Sequence, residues 1–273
     1  MSLTFETIDL AAVKRKQQAM WASGDFGVIA SLIHVVAERL ADSADLVAGS
    51  RVLDVAGGTG NMAIASARCG CDVTCTDYVP GLLERGRERA SAEGFDIKFA
   101  EADAEALPCE DGEYDAVTSV FGVMFAPHQH QAASELVRVC RPGGLIALAA
   151  WTPDGFLGEL FRATGAHVPP PAGVPSPLFW GTEAGVAELL GDEVDSIRTR
   201  RRMFMWRFRD AAEFITTMRT YYGPTLKAFE AVGEAGAEAL ERDLIAVVER
   251  CARRRDGGIA VPAEYLEVVA VRR

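Results

Sequence analysis

The stretch "RVLDVAGGTGNMAIASARCGCDVTCTDYV", residues 51–79, decides the fold. "RVLDVA" is a short apolar strand carrying an acid, Asp54, and "GGTG" follows as a turn. "NMAIASARCG" has helical spacing and a glycine stop at Gly70. "CDVTCTD" is a second strand closed by a second acid, Asp77. Strand, turn, helix and strand in this order build a parallel sheet, because a crossover must carry the chain back before it can pair in the same direction. Glycines let the backbone turn sharply and let a ligand approach the main chain. The helix behind the turn presents free N–H groups and the positive end of its dipole. Such a loop can hold a pyrophosphate or a carboxylate.

The alternation continues outward. "VPGLLERGRERASAEG" is a helix ending at Gly94, and "DIKFAEAD" is a third strand. "YDAVTSVFGVMF" is a fourth strand with its exit loop, and "HQHQAASELVRVC" is a helix. "RPGG" is a turn and "LIALAAW" a fifth strand. Near-continuous apolar runs in the first and fifth strands fit burial on both faces, so the fold class is α/β with a doubly wound sheet. Upstream, residues 3–21 and 25–48 read as helices. The second carries Val28, Ile29, Leu32, Ile33, Val36 and Leu40 at helical spacing, with Ser23 or Asp25 to cap it.

Past Trp151 the alternation stops. "TPDGFLGELFRATGAHVPPPAGVPSPLFWG" reads as a helix and an irregular loop able to cover a site. "TEAGVAELLG" is a helix, "VDSIRTRRRMFMWRF" a strand, and residues 210–255 are mostly helical. "GIAVPAEYLEVVAVRR" is a final strand, with Pro262 at its start or on an edge. One composite domain is expected: a helical cap over 1–48, a Rossmann-like core over 49–152, and an acceptor-covering insertion with completion of the sheet over 153–273.

Of the 273 residues 49% are hydrophobic, enough for a large core. The net charge of −11 argues against a nucleic-acid partner, since phosphate binding needs clustered Lys and Arg. The basic run at 198–209 reads as a strand with a solvated face. No apolar run has membrane-spanning length, and the N-terminal charges follow the apolar residues, unlike a secretory leader. No membrane span and a cytoplasmic location are expected. Cys69, Cys71 and Cys75 lie close together, but no second cysteine or histidine pair completes a zinc pattern, so no metal is expected. Cys71 and Cys75 read as small buried hydrophobes.

Gly58, Gly60 and Ala63 satisfy the dinucleotide spacing G-x-G-x-x-G/A, with Asp77 at the distance of a ribose-binding acid. An NAD(P)-dependent oxidoreductase is therefore one reading. Asp54 counts against it: an acid before the turn repels pyrophosphate and attracts an ammonium group. Nothing downstream suggests a hydride-transfer site.

"VLDVAGGTG", "CTDYV", "AEADAEALPCEDGEYDAV", "FGVMF" and "RVCRPGGLIAL", in this order over about residues 50–150, resemble a class I S-adenosylmethionine (SAM)-dependent methyltransferase of the type 11 kind. "LDVAGGTG" and "ADAEALP" resemble most the branch of ubiquinone/menaquinone-biosynthesis C-methyltransferases. The resemblance implies a seven-stranded sheet, mostly parallel with an antiparallel C-terminal strand, plus helical lid segments. It implies SAM as cofactor and S-adenosylhomocysteine as product. It places the methionine end over Ala56, Gly57, Gly58, Thr59 and Gly60, with Asp54 orienting the ammonium. Asp77 would accept both ribose hydroxyls and Tyr78 would pack beside the adenine. Asp103 and the Ala104 N–H would meet the adenine edge, and Ser119 and Phe121 would line the pocket near the sulfonium. Each acid also has a structural alternative: a cap, a turn, a solvated surface. Jointly, at the ends of consecutive strands, they converge on one crevice. Ala56 replaces the commoner first glycine, Asn61 stands where an acid is frequent, and Val120 stands where the quinone enzymes have serine. The flanking thirds lack the quinone-enzyme signatures, so the cofactor site carries over and the quinone substrate does not.

Methyl transfer is an in-line displacement that needs alignment and water exclusion, and a base only when the acceptor keeps a proton of high pKa. His128, beside His130, and His167 are the base candidates, against helix-start and surface alternatives. His34 reads as core. Trp21, Phe26, Phe156, Phe161, Phe179, Trp180, Met203, Met205 and Trp206 lie outside the motif block. Most must be core, and a few could form an apolar pocket, with Tyr221 or Tyr222 beside it. A small-molecule acceptor follows. A non-catalytic SAM-binding protein of the same fold is the third reading. The oligomeric state stays open, a homo-oligomer included.

Overall fold

The computed structural model describes residues 9–255 and 257–273, so residues 3–8 of the first expected helix lie outside it. Five parallel strands make up one part of the sheet: β1 (Arg51–Val55), β2 (Asp72–Asp77), β3 (Lys98–Glu101), β4 (Tyr114–Val120) and β5 (Cys140–Trp151). β6 (Val194–Phe208), β7 (Arg253–Arg255) and β8 (Gly258–Arg272) complete it. The order is β3-β2-β1-β4-β5-β8-β6, with β7 paired to β8 off that path. β8 runs antiparallel to β5, β6 and β7. The chain winds outward from β1 to β3 and then returns to place β4 on the other side of β1. That reversal opens a crevice at the carboxyl ends of β1 and β4, where open α/β sheets bind ligands.

The helices are α1 (Leu10–Trp21), α2 (Phe26–Ala44), α3 (Asn61–Arg68), α4 (Pro80–Glu93), α5 (Gln129–Val139), α6 (Phe156–His167), α7 (Glu183–Leu190), α8 (Ala211–Tyr221) and α9 (Gly223–Cys251). α2 starts where the Asp25 carboxylate accepts from the Gly27 N–H, and it buries Ile29, Ile33, Val36, Ala37 and Leu40. Its buried stripe is narrower than the apolar spacing suggests. Leu32 is 41% exposed, and His34 is exposed, not core, with Nδ1 2.8 Å from the Ser31 carbonyl.

Three further details differ from the sequence reading. "RPGG" is part of β5, whose pairing with β4 jumps from Tyr114↔Cys140 to Ala116↔Leu145; the extra residues bulge out, with Gly143 at φ +71°. Residues 253–255 are the short strand β7, formed by pairing with β8. α9 breaks at Gly233, whose φ of +62° no regular helix contains. Pro262 lies inside β8 opposite Met205 of β6, but β5 pairs with β8 only from Tyr265 onward. It therefore sits where β8 has one neighbour and fewer donors are needed. In the edge strand β6, Arg198, Arg200, Arg201 and Arg207 are exposed while Phe204 and Trp206 are buried. The basic run is a solvated strand face, which also discourages edge-to-edge pairing.

Candidate active site

The crevice is built on two buried acids. Asp54, on β1, is fully buried. Its Oδ2 accepts from the Ala63 N–H at 3.0 Å, and its Oδ1 lies 3.4 Å from the Thr118 hydroxyl. This packing explains the glycine turn: a Cβ on Gly57 would fall 2.5 Å from Asp54 Oδ2 and 2.6 Å from Cys75 Sγ. Ala56, in the place of a commoner glycine, adopts φ +51°, a left-handed conformation that costs about 1–2 kcal/mol outside glycine. Gly122 passes so close that its Cβ would meet the Ala56 carbonyl oxygen at 2.1 Å. Asp77, at the end of β2, accepts from the Gly58 N–H at Oδ2 and the Val79 N–H at Oδ1, both at 2.9 Å. Each oxygen keeps a second acceptor site.

Burial pushes Asp54 up to about 7, with repulsion from Asp77 adding to the shift. Burial likewise lifts Asp77 to about 6 against the pull of its backbone N–H partners. Neither carboxylate has a Lys or Arg partner among the described residues. The crevice is therefore short of positive charge, which suits a cationic ligand and disfavours a pyrophosphate.

The turn itself is clamped. Arg89 Nη1 donates to the Thr59 carbonyl (2.7 Å), Thr59 Oγ1 (3.1 Å) and Asn61 Oδ1 (2.9 Å). Asn61 Nδ2 donates to the Ala30 carbonyl of α2 at 2.9 Å. Asn61 thus joins the turn to the N-terminal helices, a job the acid common at this position would not do. Gly60, at φ +81°, leads into α3.

Asp54, Ala56, Gly57, Gly58, Thr59, Asp77, Tyr78, Asp103, Ala104 and Phe121 all border this one cleft. Ser119 does not. Its hydroxyl donates to the Val55 carbonyl at 2.7 Å and accepts from the Val123 N–H at 2.9 Å, which buries it behind the wall as a brace. Asp103 holds the Glu105 N–H at Oδ1 (2.9 Å) and Lys14 Nζ at Oδ2 (2.5 Å). Lys14 also reaches Glu105 at 2.6 Å, and Gln18 Nε2 donates to the Tyr78 carbonyl at 2.5 Å. α1 is thereby strapped across the cleft. The sequence reading missed Lys14, Gln17, Gln18 and Arg89; the spacing of Lys14, Gln18 and Trp21 on one helix face was the available signal.

Beside the cleft lies a second cavity of about 580 Å³, with Trp21, Phe26, Phe161 and Trp206 in its wall. The two spaces share Gln17, Trp21, Phe26, Ile33, Phe121, Phe125 and Ala126. Phe121, at φ +56°, stacks on Trp151 with ring centroids 3.8 Å apart and forms part of the partition. Tyr222 borders the second cavity and Tyr221 does not, while Phe156 and Trp180 are core and Met203 is 51% exposed.

Neither base candidate reaches either space. His128 is exposed and caps α5, its Nδ1 accepting from the Gln131 N–H at 3.2 Å. His167 sits at the end of α6 with Nε2 2.8 Å from Asp243 Oδ2 on α9. His130 is exposed beside Glu188. Among the described residues no group of three or more His, Cys, Asp or Glu is placed to hold a metal, and no helix is long and apolar enough to cross a membrane.

Proteins of Mycobacterium tuberculosis described as uncharacterised are similar to this chain almost end to end. One is 39% identical over 267 residues, 97% of this chain and 96% of its own. Another is 40% identical over 238 residues, 86% of this chain and 87% of its own. A demethylmenaquinone methyltransferase of Thermus thermophilus is 38% identical over 128 residues, 45% of this chain and 58% of that enzyme. The methyltransferase domain family matches residues 52–144, the span that carries both buried acids and the glycine turn. The chain carries the methyltransferase domain of a class I SAM-dependent enzyme. The fold of this methyltransferase is that of the YcgJ protein of Bacillus subtilis, with a TM-score of 0.61 at 16% identity over 88% of this chain and 99% of that one. A phosphoethanolamine N-methyltransferase of Haemonchus contortus, solved in complex with SAM, has a TM-score of 0.51 at 18% identity, covering 83% of this chain and 49% of that one.

Proposed function

We propose that this methyltransferase transfers the methyl group of SAM to a small, largely apolar organic acceptor held in the second cavity. The observation that carries the reading is the shared wall: the cleft with the two unpaired acids opens beside a 580 Å³ apolar space across Trp21, Phe26, Phe121 and Phe125. A volume of this size suits a small molecule.

The residues of the cleft fit SAM. Asp54, buried without a cation, is suited to orient the ammonium of the methionine end, and the turn from Ala56 through Gly57, Gly58, Thr59 and Gly60 presents backbone to that end. The free acceptor sites of Asp77 suit the ribose hydroxyls, and Tyr78 suits the adenine face. Asp103 and the Ala104 N–H suit the adenine edge, with Lys14 holding Asp103 in place. Two buried carboxylates on the cleft floor also weigh against a dinucleotide, whose pyrophosphate they would repel.

When bound, SAM supplies a methyl carbon on a positively charged sulfur, a leaving group that needs no proton. The chain then has to align the acceptor and keep water out. Among the described residues, no His, Asp, Glu, Lys or Cys lines the second cavity. This supports catalysis by positioning and desolvation, on acceptors whose nucleophile arrives without a proton to remove. Residues 1–48 serve as a cap, 49–152 as the cofactor core, and 153–273 as acceptor cover and completion of the sheet.

The test is transfer of labelled methyl from SAM to a panel of phenols, amines and carbon acids. Transfer to apolar members and not to charged ones is expected. SAM binding with no transfer to any apolar member would favour the non-catalytic reading, and nicotinamide cofactor bound in preference to SAM would end the proposal.

A further inference from the structure

Gln17 stands at the junction of the two spaces and borders both. Its Oε1 is buried and has no hydrogen-bond partner among the described residues. A buried carbonyl oxygen without a donor is costly, and such groups persist where a ligand completes them. Gln17 is also held in place. One side of α1 is tied down by Lys14 on Asp103 and Glu105 and by Gln18 on the Tyr78 carbonyl. At the helix end, Trp21 packs edge-on against Phe26, Phe125 and Tyr222. The helix therefore presents the carboxamide at the mouth between the two spaces, with its oxygen buried.

The remaining polar groups of the second cavity lie away from the shared wall: Arg162, Thr164, Ser176, Trp206, Tyr222 and Thr225 border that cavity and not the cleft. Arg162 Nη1 is bonded to the Pro153 carbonyl at 2.9 Å, and Ser176 Oγ lies 3.3 Å from the Leu178 N–H as a helix cap. Trp206 carries a buried, unpartnered Nε1, but it borders only the second cavity, away from the shared wall. An apolar room with one unpaired acceptor atom at its inner door selects a particular kind of guest.

We propose that Gln17 orients the acceptor, which is an apolar, ring-sized molecule bearing, at the end facing the cofactor, an O–H or N–H donor beside the atom that takes the methyl. This rests on the methyltransferase reading of the site and adds its acceptor class. Gln17 is a positioning residue: it fixes which end of the guest enters the junction and takes no proton itself.

The test uses the full chain loaded with S-adenosylhomocysteine and two probes of matched shape, 2-naphthol and 2-methylnaphthalene, in fluorescence titrations. The wild-type protein is expected to bind 2-naphthol about five- to tenfold more tightly, the worth of one neutral hydrogen bond. Gln17→Leu should abolish that preference while leaving the affinities for 2-methylnaphthalene and S-adenosylhomocysteine within about twofold. Gln17→Asn, one methylene shorter, should reduce the preference and guards against a misfolded leucine variant. Trp206→Phe should keep it. Persistence of the preference in both Gln17 variants overturns the proposal. So does failure of either ring to bind wild-type protein that binds S-adenosylhomocysteine, or a Gln17 effect on that cofactor product alone. Failure of the wild-type protein to bind S-adenosylhomocysteine is a different result and overturns the reading of the cleft itself.

Discussion

Acidification from about pH 7 to about pH 5 should weaken cofactor binding about fiftyfold through Asp54 alone. In the free protein burial holds Asp54 up at about 7. An ammonium group beside it selects the ionised form, so binding expels whatever proton the carboxyl carries. A group with that pKa is about half ionised at neutrality and about one-hundredth ionised two pH units lower, and the ratio is the affinity lost, about 2 kcal/mol. Asp77, lifted to about 6, adds up to about tenfold where the ribose also selects its carboxylate. The ligand's own α-amino group, titrating near 7.7–8.0, stays protonated through the window. Folding responds with the opposite sign. The native state holds the Asp54 proton more tightly than the unfolded chain, where the ordinary value is 3.8, so this group's contribution to stability is complete below that value and lost as the pH rises through about 7. Weaker binding at the acid end is therefore not unfolding through these groups. The assay is calorimetric titration with S-adenosylhomocysteine in two buffers of different ionisation enthalpy, which counts the protons released. Asp54→Asn should bind weakly at every pH and keep at most the roughly tenfold slope that Asp77 supplies. A wild-type affinity constant within threefold across the window, or a slope in Asp54→Asn as steep as the wild type's, refutes the reasoning.

Asp77→Ala removes a carboxylate and strands the Gly58 and Val79 N–H groups, so calorimetry should show cofactor affinity down at least about tenfold; unchanged affinity would remove the ribose assignment. Gly57→Ala drives a Cβ against Asp54 Oδ2 and Cys75 Sγ, and should lower stability by about 1–3 kcal/mol in thermal melts and abolish cofactor binding. His128→Ala should cost about 0.5–1 kcal/mol as a lost helix cap and leave the transfer rate unaltered. His167→Ala, which loosens α6 from α9, should also transfer methyl at the normal rate once folded. A fall in kcat of about a hundredfold or more in either histidine variant, with the fold intact, is what a general base would give.

What could be read from the sequence was local. Asp54, Gly57, Gly60 and Asp77 lie within one strand–turn–helix–strand unit, where spacing fixes geometry, and all four sit where that unit requires. Ser119 was placed on the right strand but the wrong side, since alternation along a strand buried on both faces carries no label for which face meets the ligand. His34 follows the apolar stripe of α2 in sequence yet faces outward, because it is turned about 100° from Ile33, outside the arc that Ile29, Ile33, Val36, Ala37, Leu40 and Ala44 bury. β7 is a run of arginines with no strand pattern of its own; β8 makes it a strand. Lys14 and Arg89 gained their roles from partners 89 and 30 residues away, a distance no local pattern spans.

Likeness to known methyltransferases covers most of the cofactor cleft and little of the second cavity's wall, and this bears on the acceptor. The domain match ends at residue 144, and the likeness to the Thermus thermophilus enzyme covers 45% of the chain. Trp21, Phe26, Phe161, Trp206 and Tyr222, which border the second cavity, all lie outside the matched domain. The mycobacterial relatives cover 86% and 97% of the chain, so their likeness extends over much of this wall as well. On the proposed function, acceptor choice belongs to this wall and not to the cofactor turn. Offered one panel of apolar hydroxy- and amino-arenes, this methyltransferase and the 39% identical Mycobacterium tuberculosis protein should rank the acceptors alike, and the Thermus thermophilus enzyme should rank them differently. A ranking shared with the Thermus thermophilus enzyme instead would place acceptor choice in the common domain, and the apolar cavity would lose its assigned role.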